Sequence, residues 1–224
     1  MSRSRVDMNA PLKAPKAAPL DRRGAPVKTT RSAAVDRRVV GAPHEIRIIG
    51  GTWRGRKLPV PDAPGLRPTP DRVRETLFNW LGQDLAGWTV LDAFAGTGVL
   101  GLEAASRGAA AVTLLESDRT LASGLLTNVQ KLKAEALCTV VATDALSWMR
   151  RGGERFDLVL LDPPFDSPLF EPALAAASGR LGDGGWVYLE APAEYTAEAL
   201  AGAGWERFRH VRAGAVHAHL LRRA

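Results

Sequence analysis

Phe156-Asp157-Leu158-Val159-Leu160-Leu161-Asp162-Pro163-Pro164-Phe165 is an apolar run that carries a carboxylate, two prolines and an aromatic ring at its far end. A run of this length bounded by turn signals reads as a strand buried on both faces. Prolines at its exit cannot join a ladder and they stiffen the turn, so Asp162 and Phe165 are held in a fixed relation. In open α/β sheets the carboxyl ends of the strands are where ligands bind, which makes this end a candidate site as well as a rigid strand-to-loop exit.

Working outward, strands and helices alternate from Trp88 onward, the signature of a parallel sheet covered by helices on both faces. The strands are expected at Trp88–Asp92, Ala111–Glu116, Leu137–Ala142, Phe156–Asp162 and Gly185–Glu190. Helices are expected at Val99–Arg107 (closed by Gly108), after Asp118 with Leu121, Leu125, Val129 and Leu132 on one face, and at Ala145–Arg151, Leu169–Leu181 and Glu194–Ala203. Trp205–Val211 and Val216–Leu221 close the sheet as an antiparallel pair, giving a Rossmann-like, mostly parallel seven-stranded α/β fold over residues 88–224.

Asp92-Ala93-Phe94-Ala95-Gly96-Thr97-Gly98 stands between the first strand and the first helix of that core. Its glycines let backbone fold tightly around a ligand and bring a helix N-terminus toward it. The spacing is neither the dinucleotide fingerprint nor a P-loop, since no Gly-Lys-Ser/Thr follows. An acid at this strand end would repel a pyrophosphate but suits a cation, and S-adenosylmethionine carries an ammonium and a sulfonium. Glu116 ends the second strand, where a carboxylate can grip two ribose hydroxyls. Asp144 follows the third and can accept from an adenine amine, with Ala145 as backbone donor, although a helix cap is an equally ordinary use of Asp144. Three acids at successive strand ends beside one glycine loop point to this cofactor, with Phe94, Ala95, Gly96 and Gly98 lining it.

Upstream, Glu45–Ile49 and Arg56–Val60 read as two short strands of a hairpin within residues 44–64. Trp53 offers a stacking face among Arg47, Arg54, Arg56 and Lys57, which suits RNA, or else it packs the hairpin onto the sheet. A helical lead-in over 65–87 begins with Thr69 as N-cap and Pro70 at the first helical position. Val73, Leu77, Trp80 and Leu81 form its apolar stripe and Gly82 ends it. Arg67 and Arg72 lie at its N-terminus, where the macrodipole does not favour cations; an anionic substrate or an Arg72–Glu75 pair would account for them.

Residues 1–43 carry ten Lys/Arg against three Asp and no apolar periodicity, so they are expected to be a disordered basic extension, either an arm for nucleic acid or dispensable. Their charge of +7 accounts for the whole excess of the 224-residue chain, whose net charge is +6. Of its 30 basic residues 24 are Arg, through phosphate recognition or a GC-rich genome alike. The single cysteine, Cys138, excludes an internal disulfide, and with no apolar run of membrane-spanning length and no signal-peptide core a cytoplasmic location is expected. No His/Cys/carboxylate spacing points to a metal; His217 and His219 alternate on the last strand as surface or packing residues.

In this order, Asp92–Gly98, Glu116, Asp144-Ala145 and Asp162–Phe165 resemble the class I S-adenosylmethionine-dependent methyltransferases. Ile48-Ile49-Gly50-Gly51-Thr52-Trp53-Arg54-Gly55-Arg56-Lys57-Leu58, Gly65–Leu81 and Leu114–Arg119 are more specific, and resemble the RsmD family of bacterial 16S ribosomal RNA methyltransferases over residues 45–222. Residues 1–43 depart from that pattern. The resemblance implies methylation of the exocyclic N2 amine of one guanine, with S-adenosylmethionine as cofactor and 16S ribosomal RNA as partner, within a 30S particle or an assembly intermediate. Asp162 and the Pro163 carbonyl would accept from the amine, Pro164 would stiffen the exit and Phe165 would stack on the base. Arg47, Trp53, Arg54, Arg56, Arg67 and Arg72 would contact RNA. Nothing requires more than a monomer. Asp-Pro-Pro-Phe alone is also compatible with methylation of adenine N6 or of a protein glutamine, and a non-catalytic RNA-binding assembly factor is the reading from another class.

Overall fold

A computed structural model describes residues 45–60 and 69–224; the basic extension of residues 1–43 and Arg67 lie outside the described residues. Strands β1 (Glu45–Arg47) and β2 (Lys57–Pro59) pair antiparallel, so the expected hairpin is present with shorter strands. Helix α1 spans Asp71–Leu81 and ends at Gly82, whose φ of 92° suits a residue without Cβ. Pro70 stands at its N-cap position with no side-chain capping bond, so Thr69 does not cap the helix; its side chain is buried instead. The buried face is Val73, Arg74, Leu77 and Phe78, whereas the expected stripe residues Trp80 and Leu81 are only half-buried.

The core follows as β3 (Thr89–Asp92), α2 (Val99–Ser106), β4 (Ala111–Glu116), α3 (Arg119–Leu132), β5 (Cys138–Ala142), α4 (Ala145–Arg150) and β6 (Phe156–Leu161). Next come α5 (Phe170–Ser178), β7 (Leu181–Ala191), α6 (Ala197–Gly202), β8 (Trp205–Ala213) and β9 (Val216–Arg223). The seven core strands lie in the order β5-β4-β3-β6-β7-β9-β8, parallel except where β9 runs against β7 and β8. Leu181 belongs to β7 and not to the preceding helix: it pairs with Phe156 across a bulge that Gly182, Gly184 and Gly185 accommodate.

Alternation along the strands sorts the core into two layers. Val90, Leu114, Leu158, Leu160 and Tyr188 face α1, α2, α3 and the hairpin, while Leu91, Leu115, Val159, Leu161 and Leu189 face the other layer with α5 residues Phe170, Ala173 and Leu174. Chain order reverses between β3 and β6, so a crevice opens at the carboxyl ends of those two strands.

The hairpin is bolted to α2. Backbone N–H groups of Thr52 and Trp53 donate to the Ser106 carbonyl (2.7 Å) and hydroxyl (2.9 Å), and that hydroxyl donates to the Gly50 carbonyl at 2.6 Å. Ile49 N donates to Glu103 Oε2 at 2.9 Å. Glu103 is fully buried between Arg74 (3.0 Å) and Arg107 (2.9 Å), an arrangement in which losing one partner costs about 3–5 kcal/mol. No helix among the described residues is long and apolar enough to cross a membrane.

Candidate active site at the switch point of the sheet

Asp92 ends β3 with 1% of its surface exposed. Its Oδ2 accepts from Gly101 N in the first turn of α2 at 2.9 Å, while Oδ1 is buried without a partner among the described residues. A Cβ at position 101 would stand 3.0 Å from Asp92 Oδ2 and 2.5 Å from Leu114 Cδ2, so glycine there is what lets helix and acid meet. Burial, reinforced by Glu116 and outweighing the bond from Gly101, raises the Asp92 pKa to about 7. Buried acids without an acceptor's counterpart are rare, and the orphaned oxygen is the kind of feature a cationic ligand group satisfies.

The glycine loop turns beside it. Ala95 N donates to the Leu115 carbonyl at 2.9 Å, which ties the loop to β4. Gly96 and Gly98 have φ of 50° and 78°, and Gly98 forms the N-cap of α2. Glu116 Oε2 accepts from Gly96 N at 2.8 Å and Oε1 from Asp118 N at 2.8 Å, so this carboxylate lies against the loop with lone pairs left to receive hydroxyls. Asp118 caps α3 through the N–H groups of Thr120 and Leu121, as its position suggests. Asp144 is exposed and caps α4 through Ser147 N at 2.7 Å, the bond that does most to lower its pKa. Thr143 N donates to the Glu116 carbonyl at 2.9 Å, so the loop bearing Asp144 and the buried Ala145 lies beside the end of β4. Phe94 is half-buried against the layer opposite the hairpin.

Across the switch point, Asp162 follows the last residue of β6 and is half-buried. Burial raises its pKa well above the carboxylate range, the charges of Glu190 and Asp92 push the same way, and the Thr69 hydroxyl opposes them. Pro163 is buried and Pro164 exposed; Ser167 N donates to the Pro164 carbonyl at 3.0 Å, whereas the Pro163 carbonyl has no donor among the described residues. The half-buried Phe165 leans on Phe170, with ring centroids 6.5 Å apart and planes tilted by 54°. Thus Asp92, Gly96, Gly98 and Glu116 gather on one side of the crevice and Asp162–Phe165 form the other.

Among the basic residues expected to touch RNA, Arg47, Arg54, Arg56 and Arg72 are exposed, and Arg47 reaches Asp71 at 3.3 Å. No Arg72–Glu75 bond is found among the described residues, and Arg72 is exposed. Trp53 is 9% exposed and packs in the layer with Leu58, so it offers no stacking face; α2 supplies the surface that covers it. Sequence spacing also hid a trio: Glu194, His210 and His217 bring ligand atoms within 4.8 Å of one another. Glu194 is held there by Arg207 at 2.6 Å and the two imidazoles bond each other at 3.1 Å, so the donors are already engaged. His219 is fully buried and accepts from Tyr195 N at 3.0 Å. Asp162 also has neighbours to which sequence spacing assigns no part in the site: Tyr188 and Glu190 on β7, and Thr69, expected only as a helix cap.

A doubly wound sheet with this last antiparallel strand, a glycine loop after its first strand and acids flanking the switch point defines a class I methyltransferase. The family model described as "Conserved hypothetical protein 95" matches residues 46–222, and the chain belongs to that family, the RsmD family of the resemblance. It is 47% identical over 181 residues to ribosomal RNA small subunit methyltransferase D of Escherichia coli K12, covering 80% of this chain and 90% of the relative. It is 49% identical over 137 residues to the protein of the same name from Haemophilus influenzae, covering 60% and 71%. The solved structure of the Escherichia coli methyltransferase candidate yhhF superposes with a TM-score of 0.70 at 45% identity, covering 80% of this chain and 98% of the other.

Proposed function

We propose that this chain transfers a methyl group from S-adenosylmethionine to the exocyclic N2 amine of a guanine in 16S ribosomal RNA. The observation that carries the reading is Asp162, held at the end of a buried strand by a rigid Pro163-Pro164 exit, across the switch point from the orphaned Asp92 oxygen. Family membership and the names of the relatives support ribosomal RNA as the substrate.

Bound at the glycine loop, the cofactor supplies an electrophilic sulfonium methyl group. Asp92 would receive its ammonium, Glu116 its ribose hydroxyls, and Asp144 with Ala145 its adenine. Phe165 stacks on the target base, a contact worth about 1–3 kcal/mol. Asp162 and the Pro163 carbonyl accept from the two amine N–H groups, which turns the nitrogen lone pair outward for in-line displacement. As nitrogen gains positive charge, Asp162 offsets it and accepts the departing proton. No enzyme thiolate takes part: Cys138 lies in β5 and burial pushes its pKa up to about 12. Arg54, Arg56 and Arg72 contact phosphates, with Arg67 as a further anchor, in a cytoplasmic monomer acting on a 30S particle or an assembly intermediate.

A tritiated-methyl transfer assay with naked 16S RNA and with 30S particles lacking the modification, followed by nucleoside analysis, tests this. The label is expected in N2-methylguanosine. Label in adenosine or in protein glutamine overturns the substrate assignment, and cofactor and RNA binding without any transfer overturns catalysis in favour of an assembly factor.

A further inference from the structure

Glu190 is a buried acid that the steps above do not use. Parallel pairing of Leu160 with Tyr188 and of Leu161 with Leu189 brings the next residues, Asp162 and Glu190, to neighbouring strand ends. Side-chain alternation points both into the layer that holds Asp92, Leu160 and Tyr188. Glu190 is 2% exposed, and its Oε1 accepts from the Tyr188 hydroxyl at 2.9 Å. On its other side β9 places only Ala218. From the segment before α1 the Thr69 hydroxyl faces both carboxyls. Arg74, the nearest cation on α1, is bonded to Glu103, Asp71 and the Thr69 carbonyl and not to Glu190. Two carboxyls therefore sit on neighbouring strands, Glu190 buried and Asp162 half-buried, with no cation bonded to either among the described residues.

We propose that Glu190 is a positioning residue for Asp162, sharing one proton with it so that the pair carries a single negative charge. This rests on the assignment of Asp162 as the group that meets the amine. Two ionised carboxylates on adjacent strand ends, one of them fully buried, repel, whereas one proton held between them satisfies both. Burial raises both groups, Glu190 to about 7, and the charge of Glu190 raises Asp162 further, while Tyr188, Thr69 and the charge of Arg74 hold Glu190 lower; a proton placed between neighbouring acids belongs to the pair. Donation from the substrate amine favours charge on Asp162 and drives the shared proton onto Glu190, which then donates to Asp162 and fixes its orientation. When the methyl–sulfur bond breaks and the nitrogen–carbon bond forms, the amine proton moves to Asp162. The pair is then doubly protonated and neutral, and one proton returns to solvent as product leaves. Above the pair's second ionisation, Glu190 loses its donor proton and Asp162 its support.

Glu190→Gln, Glu190→Ala and Asp162→Asn, each in the full chain, test this by single-turnover methyl transfer from pH 5 to 9 and by the 13C carboxyl resonance of Asp162. Glutamine keeps a donor at every pH, so E190Q should restore the roughly tenfold or greater rate that E190A loses at pH 7 and should abolish the falling alkaline limb of the wild type. Asp162 should titrate in two steps in the wild type and one in E190Q. A rate profile in E190Q that keeps the wild-type shape, or an Asp162 titration that does not change, overturns the proposal, and a purely structural role for Glu190 would give that result. Undiminished turnover in D162N instead overturns the assignment of Asp162 itself, so the two failures are distinct. Equal cofactor affinity in all variants shows that the fold is intact.

Discussion

Affinity for S-adenosylmethionine should fall about tenfold for each pH unit below 7, through Asp92. Burial holds this carboxyl at about 7 in the free protein, and at 1% exposure it has no water to share the cost of ionising. An ammonium group can be received only by the ionised form, whose share at pH 5 is roughly 1%; binding there is weakened about a hundredfold, or roughly 3 kcal/mol. At pH 6 nearly one proton is released per cofactor bound, and above pH 7 the affinity levels off. Calorimetric titration between pH 5 and 8, in two buffers of different ionisation heat, reads both the slope and the proton count. Asp162 and Glu190 are also raised, so the assignment needs Asp92→Asn, which should bind weakly with no slope below pH 7. A flat affinity between pH 5 and 7 in the wild type, or an unchanged slope in the variant, would refute the role given to Asp92.

Three further outcomes follow from the same geometry. Without cofactor, folding holds a proton on Asp92 that the unfolded chain releases near 3.8, so its contribution is complete below about pH 4 and is lost as pH rises through 7. Asp92→Asn should therefore gain up to roughly 4 kcal/mol on the wild type between pH 4 and 8 in urea unfolding, and equal pH dependence would sink this. Gly51→Ala forces a Cβ to 1.8 Å from the Ser106 carbonyl oxygen at a φ of 70°, whereas Gly55, at 84°, faces open space. Urea unfolding should show a loss of about 1 kcal/mol for Gly55→Ala and at least ~2 kcal/mol for Gly51→Ala, with faster exchange of the Thr52 and Trp53 amides in the latter. Phe165→Ala should raise the KM for RNA by about 5- to 150-fold with cofactor affinity unchanged, a split read directly from steady-state kinetics.

Local patterns in the chain predicted the sheet, the glycine loop and the stiff exit after β6 because their causes are local. Asp92 through Gly98 pass from strand to helix on glycines at positive φ, and Asp162-Pro163-Pro164 stiffens its own exit. Contacts made by distant elements were not legible. Trp53 stands among arginines in sequence and looks exposed, but α2 lies under it, some fifty residues later, with Ser106 bonding its backbone N–H. Arg74 looks like another surface charge on α1 until Glu103 arrives to neutralise it inside the fold. Thr69 has the spacing of a helix cap, yet Pro70 takes that position and the threonine turns inward toward two acids. Glu190 acquires meaning only through the β6–β7 register, and the His210–His217 pair only through the antiparallel β8–β9 register and the loop that carries Glu194.

The proposed reaction depends on Asp162 orienting the acceptor amine and receiving its proton. Single-turnover methyl transfer by Asp162→Asn on a substrate that the wild type methylates, with cofactor affinity measured in parallel, tests it most directly. The rate should be lower by about a hundredfold to ten-thousandfold with cofactor binding largely unchanged. A rate near that of the wild type would contradict it.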